Sequence, residues 1–370
     1  MTERLSQLLR DEVAELHPAP PDAAHVLAEG RRLRRRRRVT TGLAAATVVA
    51  MVGAAGGFAL AQNDSGGASP ATAGSEAPIV FGVGSDIRLD DVVAQVPDTV
   101  HSLHYTSDGV LVRSNPNDGA SDGSGPESLT LVRHDGTTVD LGTVPEGAGP
   151  ATDPQESVYV LAEARGDGFV AVVRDAETGE AVDEVPLPDL PPSYWPVPPL
   201  SLDGDTLYAG FKQSTAAVDL DSGDHTIVDG MAGGIPDVVA GRTVLQQEGS
   251  LVVLDVANGA DLLTVHVEGY AWGTLSPDGQ FLRVVSEGEM TDGGYVEPKS
   301  IQVYDVATGE VHEFAGTSGW GWTADGGLFR VNRGTLTTCD AATGACEESA
   351  LSPALPRNAS LRLGGMVYES

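Results

Sequence analysis

Cysteine and basic side chains are the scarce residues of this chain, and each scarcity excludes something. Only two cysteines occur in 370 residues, Cys339 and Cys346, which leaves a thiolate zinc centre two ligands short. No cysteine follows the apolar stretch near the N-terminus, and that excludes lipoprotein anchoring. Lysine and arginine total 22 against 53 aspartate and glutamate, and nine of the 22 stand before residue 39. From residue 63 onward 13 basic residues face 47 acidic ones, a net charge of −34. Such a domain repels nucleic acid and anionic lipid headgroups, leaving neutral, cationic or metal-bearing partners. Linear catalytic motifs are also missing: there is no GxSxG elbow, no HExxH helix and no GxxxxGK[ST] phosphate loop. The expectation is no cofactor, no bound metal and a non-enzymatic role.

One long uncharged run organises the chain. Residues 39–62, VTTGLAAATVVAMVGAAGGFALAQ, are 24 residues without a charge, enough at 1.5 Å per helical residue to cross a hydrocarbon core about 30 Å thick. Seven arginines lie within residues 31–38 and no basic residue follows until Arg88, so the positive-inside rule puts the N-terminus in the cytoplasm. The expectation is a single-pass protein of the cytoplasmic membrane, with residues 1–38 inside and everything after residue 62 outside. Cleavage after Ala59-Leu60-Ala61 is the alternative, though both the basic and the apolar regions are long for a signal peptide. Gly53 and Gly57 have the spacing that lets two membrane helices approach closely, so a homodimer is a further expectation.

Residues 2–16 place Leu5, Leu8, Leu9, Val13 and Leu16 on one helical face behind a Thr2 cap. A segment of 38 residues cannot bury such a stripe by itself. It needs the inner leaflet or a cytoplasmic protein partner. Residues 63–77, NDSGGASPATAGSEA, have the composition of a flexible linker.

From residue 78 the sequence repeats. TLSPDGQFLRVVS reads as strand, tight turn at Asp278-Gly279, strand, and IQVYDVATGEVHEF as strand, turn from Asp305 to Gly309, strand. Together they make a four-stranded antiparallel unit. The second phrase recurs at Asp135, Asp175, Asp219, Asp255 and Asp340, with a mean spacing of about 41 residues. Aspartate can bond turn amides while the glycine supplies positive φ, so these residues read as structural. The first phrase recurs at Asp108-Gly109, Asp203-Gly204 and Asp325-Gly326, with degenerate copies near Asp153 and Gly241. Six units are explicit; the segments PIVFGVGSDIRLDDVV and ASLRLGGMVY each read as one or two strands and supply a seventh. The fold class is all-β, a propeller of seven blades with six as the alternative count, occupying residues 78–370.

The SPDG turn followed by VYDVATGE resembles the WD40-like, TolB-like and YVTN-type β-propellers of bacterial envelopes, a resemblance that implies the fold and leaves function open. The N-terminal layout of short helix, PPD turn, arginine run and Ala-rich span resembles actinobacterial membrane proteins that accompany extracytoplasmic-function sigma factors. It implies a regulatory partner in the cytoplasm. The HxxxCxxC of zinc-type anti-sigma domains is absent.

Inner strands of a propeller line its channel, and aromatic residues collect just before the Asp-Gly turns. Strand alternation assigns Tyr105, Leu275 and Trp322 to packing between blades, and His104 and Trp272 to the channel. His101, Tyr194, Trp195 and Trp320 complete the set of ligand-binding candidates. His101 and His104 could begin a metal site, but no third ligand is identifiable. The insertion Asn115–Glu127 is rich in oxygen ligands yet misses the EF-hand spacing, and reads as a disordered loop. Residues 186–200 are proline-rich and expected to run as an extended arm presenting Tyr194 and Trp195. Cys339 and Cys346 flank a hairpin turn and are expected to form a disulfide in an exported compartment. The leading function is an extracytoplasmic binding or sensing propeller; the alternatives are an envelope scaffold and a propeller lyase or lactonase with its site in the channel.

Overall fold

A computed structural model describes residues 77–366, except for 118, 120–124, 229, 232–233, 287–288, 292–293, 297 and 357–359. The expected membrane helix, its Gly53 and Gly57, the helical segment bearing Leu5 to Leu16, and nearly all of the linker lie outside these residues. Among the described residues no helix is long and apolar enough to cross a membrane.

Alternating strands and turn signals fold into seven four-stranded antiparallel sheets. Numbering blades from the N-terminus, and strands a to d from inside to outside, blade 2 is Thr99–Thr106, Gly109–Asn115, Glu127–Arg133 and Thr138–Val144. The inner strands of blades 3 to 7 are Ala151–Thr152, Leu200–Asp203, Val238–Val239, Ala271–Leu275 and Trp320–Trp322. Blade 1 draws on both ends of the domain: strand Leu361–Leu363 is innermost, followed outward by Val80–Val83, Asp86–Leu89 and Val92–Gln95. The N-terminal stretch thus contributes three strands where one or two were expected, and the C-terminal stretch one. A seven-blade propeller closed by its two ends is the observed architecture. Blade 6 also carries an extra hairpin, Glu289–Thr291 with Gly294–Val296, between its second and third strands.

Each sheet packs both of its faces against neighbouring blades over its inner strands, and the apolar side chains divide accordingly. Seven core clusters fill the seven gaps between neighbouring blades. The gap between blades 7 and 1 holds Phe329, Val331, Phe81 and Leu363. Tyr105, Leu275 and Trp322 are buried between blades, as alternation predicts.

Antiparallel order puts the a–b and c–d turns on one face, here the turn face, and the b–c and d–a connections on the other, the loop face. All six repeated aspartates occupy c–d turns. The Asp175 carboxylate accepts from the amides of Glu177 at 3.1 Å and Thr178 at 2.9 Å, while Gly179 at φ 71° donates back to the Asp175 carbonyl. Three aspartates of the a–b turns reach instead to the next blade. Asp153 accepts from Gly204 at 2.7 Å, Asp203 from Ala240 at 3.0 Å and Gly241 at 2.7 Å, and Asp325 from Ala77 at 3.2 Å. The chain therefore enters the propeller on the turn face. Cys339 and Cys346 sit opposite one another in register and form a disulfide that staples the outer hairpin of blade 7.

Closure depends on Gly364. Its amide donates to Val80 at 2.9 Å, its carbonyl accepts from Trp322 at 3.0 Å, and a Cβ there would lie 1.9 Å from the Tyr105 hydroxyl oxygen. That hydroxyl is itself committed to the Trp322 carbonyl at 2.8 Å. Gly364→Ala should cost about 1–3 kcal/mol through overpacking, and deletion of residues 358–370 should lower the thermal midpoint by on the order of 10 °C. Calorimetry checks both; a truncated domain melting at the unchanged midpoint would refute the closure.

Candidate functional site

Two features of the loop face stand apart from the repeat: a buried polar network in blade 2 and a set of exposed aromatic side chains. The network begins with a defect in pairing. Val100 faces Ser114 and Ser102 faces Arg113, so His101 is an extra residue with no cross-strand partner. Such a bulge re-aims the residue it inserts. His101 Nδ1 lies 2.6 Å from Glu127 Oε1, and its carbonyl accepts from Arg362 Nε at 2.9 Å.

Glu127 is fully buried, so its charge requires partners. Arg113 pairs with its Oε2, while Asn115 Nδ2 donates to Oε1 at 3.1 Å. Asn115 Oδ1 in turn accepts from the amides of Asn117 and Gly119, each at 3.1 Å. Arg362 Nη2 then donates to the Gly119 carbonyl at 3.1 Å, tying the closing strand to the start of the blade 2 insertion. Burial pushes the Glu127 carboxyl up, but the His101 bond, the Arg113 charge and the Asn115 bond together hold it below the usual range. His104 Nε2 lies 2.9 Å from Ser102 Oγ, and burial, reinforced by the Arg113 charge, lowers its pKa to about 3.

The candidates from sequence separate into two groups. His101 and His104 are 7 % exposed and engaged within the network; Trp320 is 3 % exposed, with its indole N–H on the Gly316 carbonyl at 2.9 Å and its ring edge-on to Phe314. These three are placed inside the protein rather than in open channel. Trp272, on the inner strand of blade 6, is 41 % exposed, and Tyr270 beside it 52 %, with ring centroids 6.1 Å apart. Tyr194 and Trp195 lie in the connection before Leu200, not on an inner strand, at 88 % and 47 %. Lys212 Nζ sits 5.9 Å over the Tyr194 ring. None of the four makes a side-chain hydrogen bond among the described residues. Asn115 and Glu127, the ends of the oxygen-rich insertion, are both buried. The rest of that insertion is mostly outside the described residues. Among the described residues no group of three or more His, Cys, Asp and Glu is gathered to hold a metal.

Asp237 escaped the reading from sequence. It immediately precedes Val238–Val239, the inner strand of blade 5, half-buried and without a hydrogen-bond partner among the described residues. Desolvation raises its carboxyl to about 6. Nothing local marks it, because the two-residue strand it precedes carries no pattern.

The network sets a pH dependence. Unfolded His104 takes up a proton near 6.5 while the folded side chain does so near 3, so the unfolded state binds more protons between these values. Stability should fall as pH drops from about 6.5 towards 3. Glu127, depressed below its 4.5 reference, adds a loss that begins below that value. Denaturant titrations from pH 7 to 4 should show this slope, and His104→Gln should flatten its upper part. Glu127→Ala should cost about 3–5 kcal/mol by stranding Arg113.

Comparison with known proteins finds no family model that matches and no curated relative. Solved structures do match in fold. A protein described as a 6-phosphogluconolactonase from Bacteroides uniformis is 14 % identical, covering 77 % of this chain and 100 % of that one, with a TM-score of 0.45. Hydrazine synthase from Kuenenia stuttgartiensis is 16 % identical over 65 % of this chain and 76 % of its own, TM-score 0.41. TolB from Acinetobacter baumannii is 12 % identical over 78 % and 67 %, TM-score 0.38. The seven-blade architecture itself rests on the chain's own strand order.

Proposed function

We propose that this chain is a non-enzymatic binding or sensing propeller held in the cytoplasmic membrane, with its recognition surface on the loop face. The observation that carries the reading is the segregation of exposed aromatics. Tyr194, Trp195, Tyr270 and Trp272 all belong to d–a connections or the start of an inner strand, whereas the exposed aliphatics Val93, Val182, Ile227, Leu262 and Val311 are scattered along outermost strands. Single exposed aliphatics need no explanation; aromatics confined to one face mark a contact surface. His101 and Glu127, the titratable pair most suited to acid-base work, are bonded to one another in the interior and offer no group to a substrate.

Membrane attachment in this reading rests on the 24 uncharged residues 39–62 and the arginines before them. Residues 1–38 then carry the signal, with Leu5, Leu8, Leu9, Val13 and Leu16 as anchors for an apolar groove on a cytoplasmic partner, such as a sigma factor. Protease added to intact spheroplasts should degrade the propeller and leave a small anchored fragment; protection of the full chain would overturn the topology. Cross-linked capture through residues 1–38 should recover a specific cytoplasmic protein and lose it when Leu8 and Leu9 are both replaced by Asp. Recovery unchanged by that double substitution would refute the groove.

A further inference from the structure

The reading of the loop face as a contact surface leaves open what it contacts, and the following rests on that reading. We propose that the Tyr270–Trp272 pair at the mouth of blade 6 is a docking site for a cationic peptide segment, one presenting lysine or arginine side chains to the aromatic faces.

The geometry supplies the platform. Both rings are near half-exposed or more, 6.1 Å apart and inclined at 49°, so they form an open corner rather than a closed stack. Gly269, at φ 79°, turns the chain immediately before Tyr270, and the space where its Cβ would stand is empty. Gly273, immediately after Trp272, packs against Leu282, Leu251 and Val244, where a Cβ would be 2.9 Å from the first of these. The backbone beneath the pair is therefore wedged between blades 5 and 6 and cannot carry the rings inward. Their exposure is built in.

Charge selects the ligand. The domain carries a net −34 from residue 63 onward, which draws cations and rejects anions before contact. Locally, Glu268 is exposed two residues before Tyr270. An ammonium or guanidinium over an aromatic face is held by the ring quadrupole, with Trp and Tyr the better rings. The chain shows such a pairing within itself, Lys212 over Tyr194. A neutral saccharide would also stack on aromatics but would gain nothing from the field of the domain. A peptide of fixed positive charge uses both.

The test uses the full-length chain in mild detergent at about 0.15 M salt, where screening weakens diffuse attraction. The probes are an octapeptide of alternating lysine and glycine, its glutamine-glycine counterpart, and a neutral pyranose hexasaccharide. Tryptophan emission and calorimetry report binding. The lysine peptide should bind and the glutamine peptide should not, and Tyr270→Ala with Trp272→Ala should weaken the lysine peptide about tenfold or more. Tyr270→Phe with Trp272→Phe, which keeps aromatic faces, should weaken the lysine peptide less than the alanine pair does and controls for folding alongside the melting midpoint. Lysine-peptide binding unchanged in the alanine pair would overturn the proposal as mere attraction to an acidic surface. Binding of the hexasaccharide, lost in the same alanine pair, with no response to the lysine peptide, would overturn the cationic ligand while sustaining the contact surface. No calorimetric response of the native chain to any probe would overturn the proposed site.

Discussion

The structure depends on closing a ring of strand edges with three residues. A sheet edge presents unpaired amides and carbonyls, and a circular array of blades can hide its inner gaps only if first and last blades pack. Leu361–Leu363 does this by pairing with Val80–Val83, while Leu363 fills the gap between blades 7 and 1 beside Phe81 and Phe329. So short a strand is weak alone. It is reinforced from three directions: Gly364 bonds Val80 and Trp322, Tyr105 locks onto the Trp322 carbonyl, and Arg362 bonds His101 and Gly119. The polar network of blade 2 thereby gains a physical purpose. Its buried Glu127 fixes Arg113, His101 and Asn115, and these fix the two carbonyls to which the closing strand is tied.

This changes how the acidity of the domain is understood. Many of its aspartates are committed to backbone: Asp135, Asp175, Asp219, Asp255, Asp305 and Asp340 accept from amides of their own turns. Asp153 and Asp203 accept from turns of the following blade. A carboxylate bonded to amides gains more than a neutral acceptor would, which favours aspartate at each repeat. Six-fold repetition then multiplies the charge. Part of the negative charge is a by-product of building the turn face.

These turns are also why the fold was legible. The interaction of Asp305 with Ala307 and Thr308, and the positive φ of Gly309, lie within five residues, so the sequence shows them directly. Inter-blade packing of Tyr105, Leu275 and Trp322 followed from counting back along strands of regular alternation. Legibility ended where structure is made by distant or irregular contacts. The inner strands of blades 3 and 5 are two residues each, too short for any period. His101 sits on a bulge that breaks the strand alternation, while His104, in regular register, is buried against Ser102 rather than open to the channel. Glu127, His101 and Arg362 meet across as many as 261 positions, and each alone reads as an ordinary strand or loop residue. Trp320 was expected to face a ligand because it stands before an Asp-Gly turn, but Gly316 and Phe314 claim it.

What the fold does not explain is then informative. Tyr194, Trp195, Tyr270 and Trp272 belong to none of the seven clusters between blades, and their polar ends bond nothing among the described residues. Exposed tryptophan is costly to keep in water and adds risk of aggregation. Among the described residues the turn face, where six blades repeat the same aspartate and glycine chemistry, carries no exposed tryptophan or tyrosine of this kind. The loop face does, and there the connections vary from tight turns to the proline-rich arm and the extra hairpin of blade 6. Removing these aromatics would leave the ring, its closure and its stitched turns intact, so stability gives no reason for their presence. Contact with another molecule does.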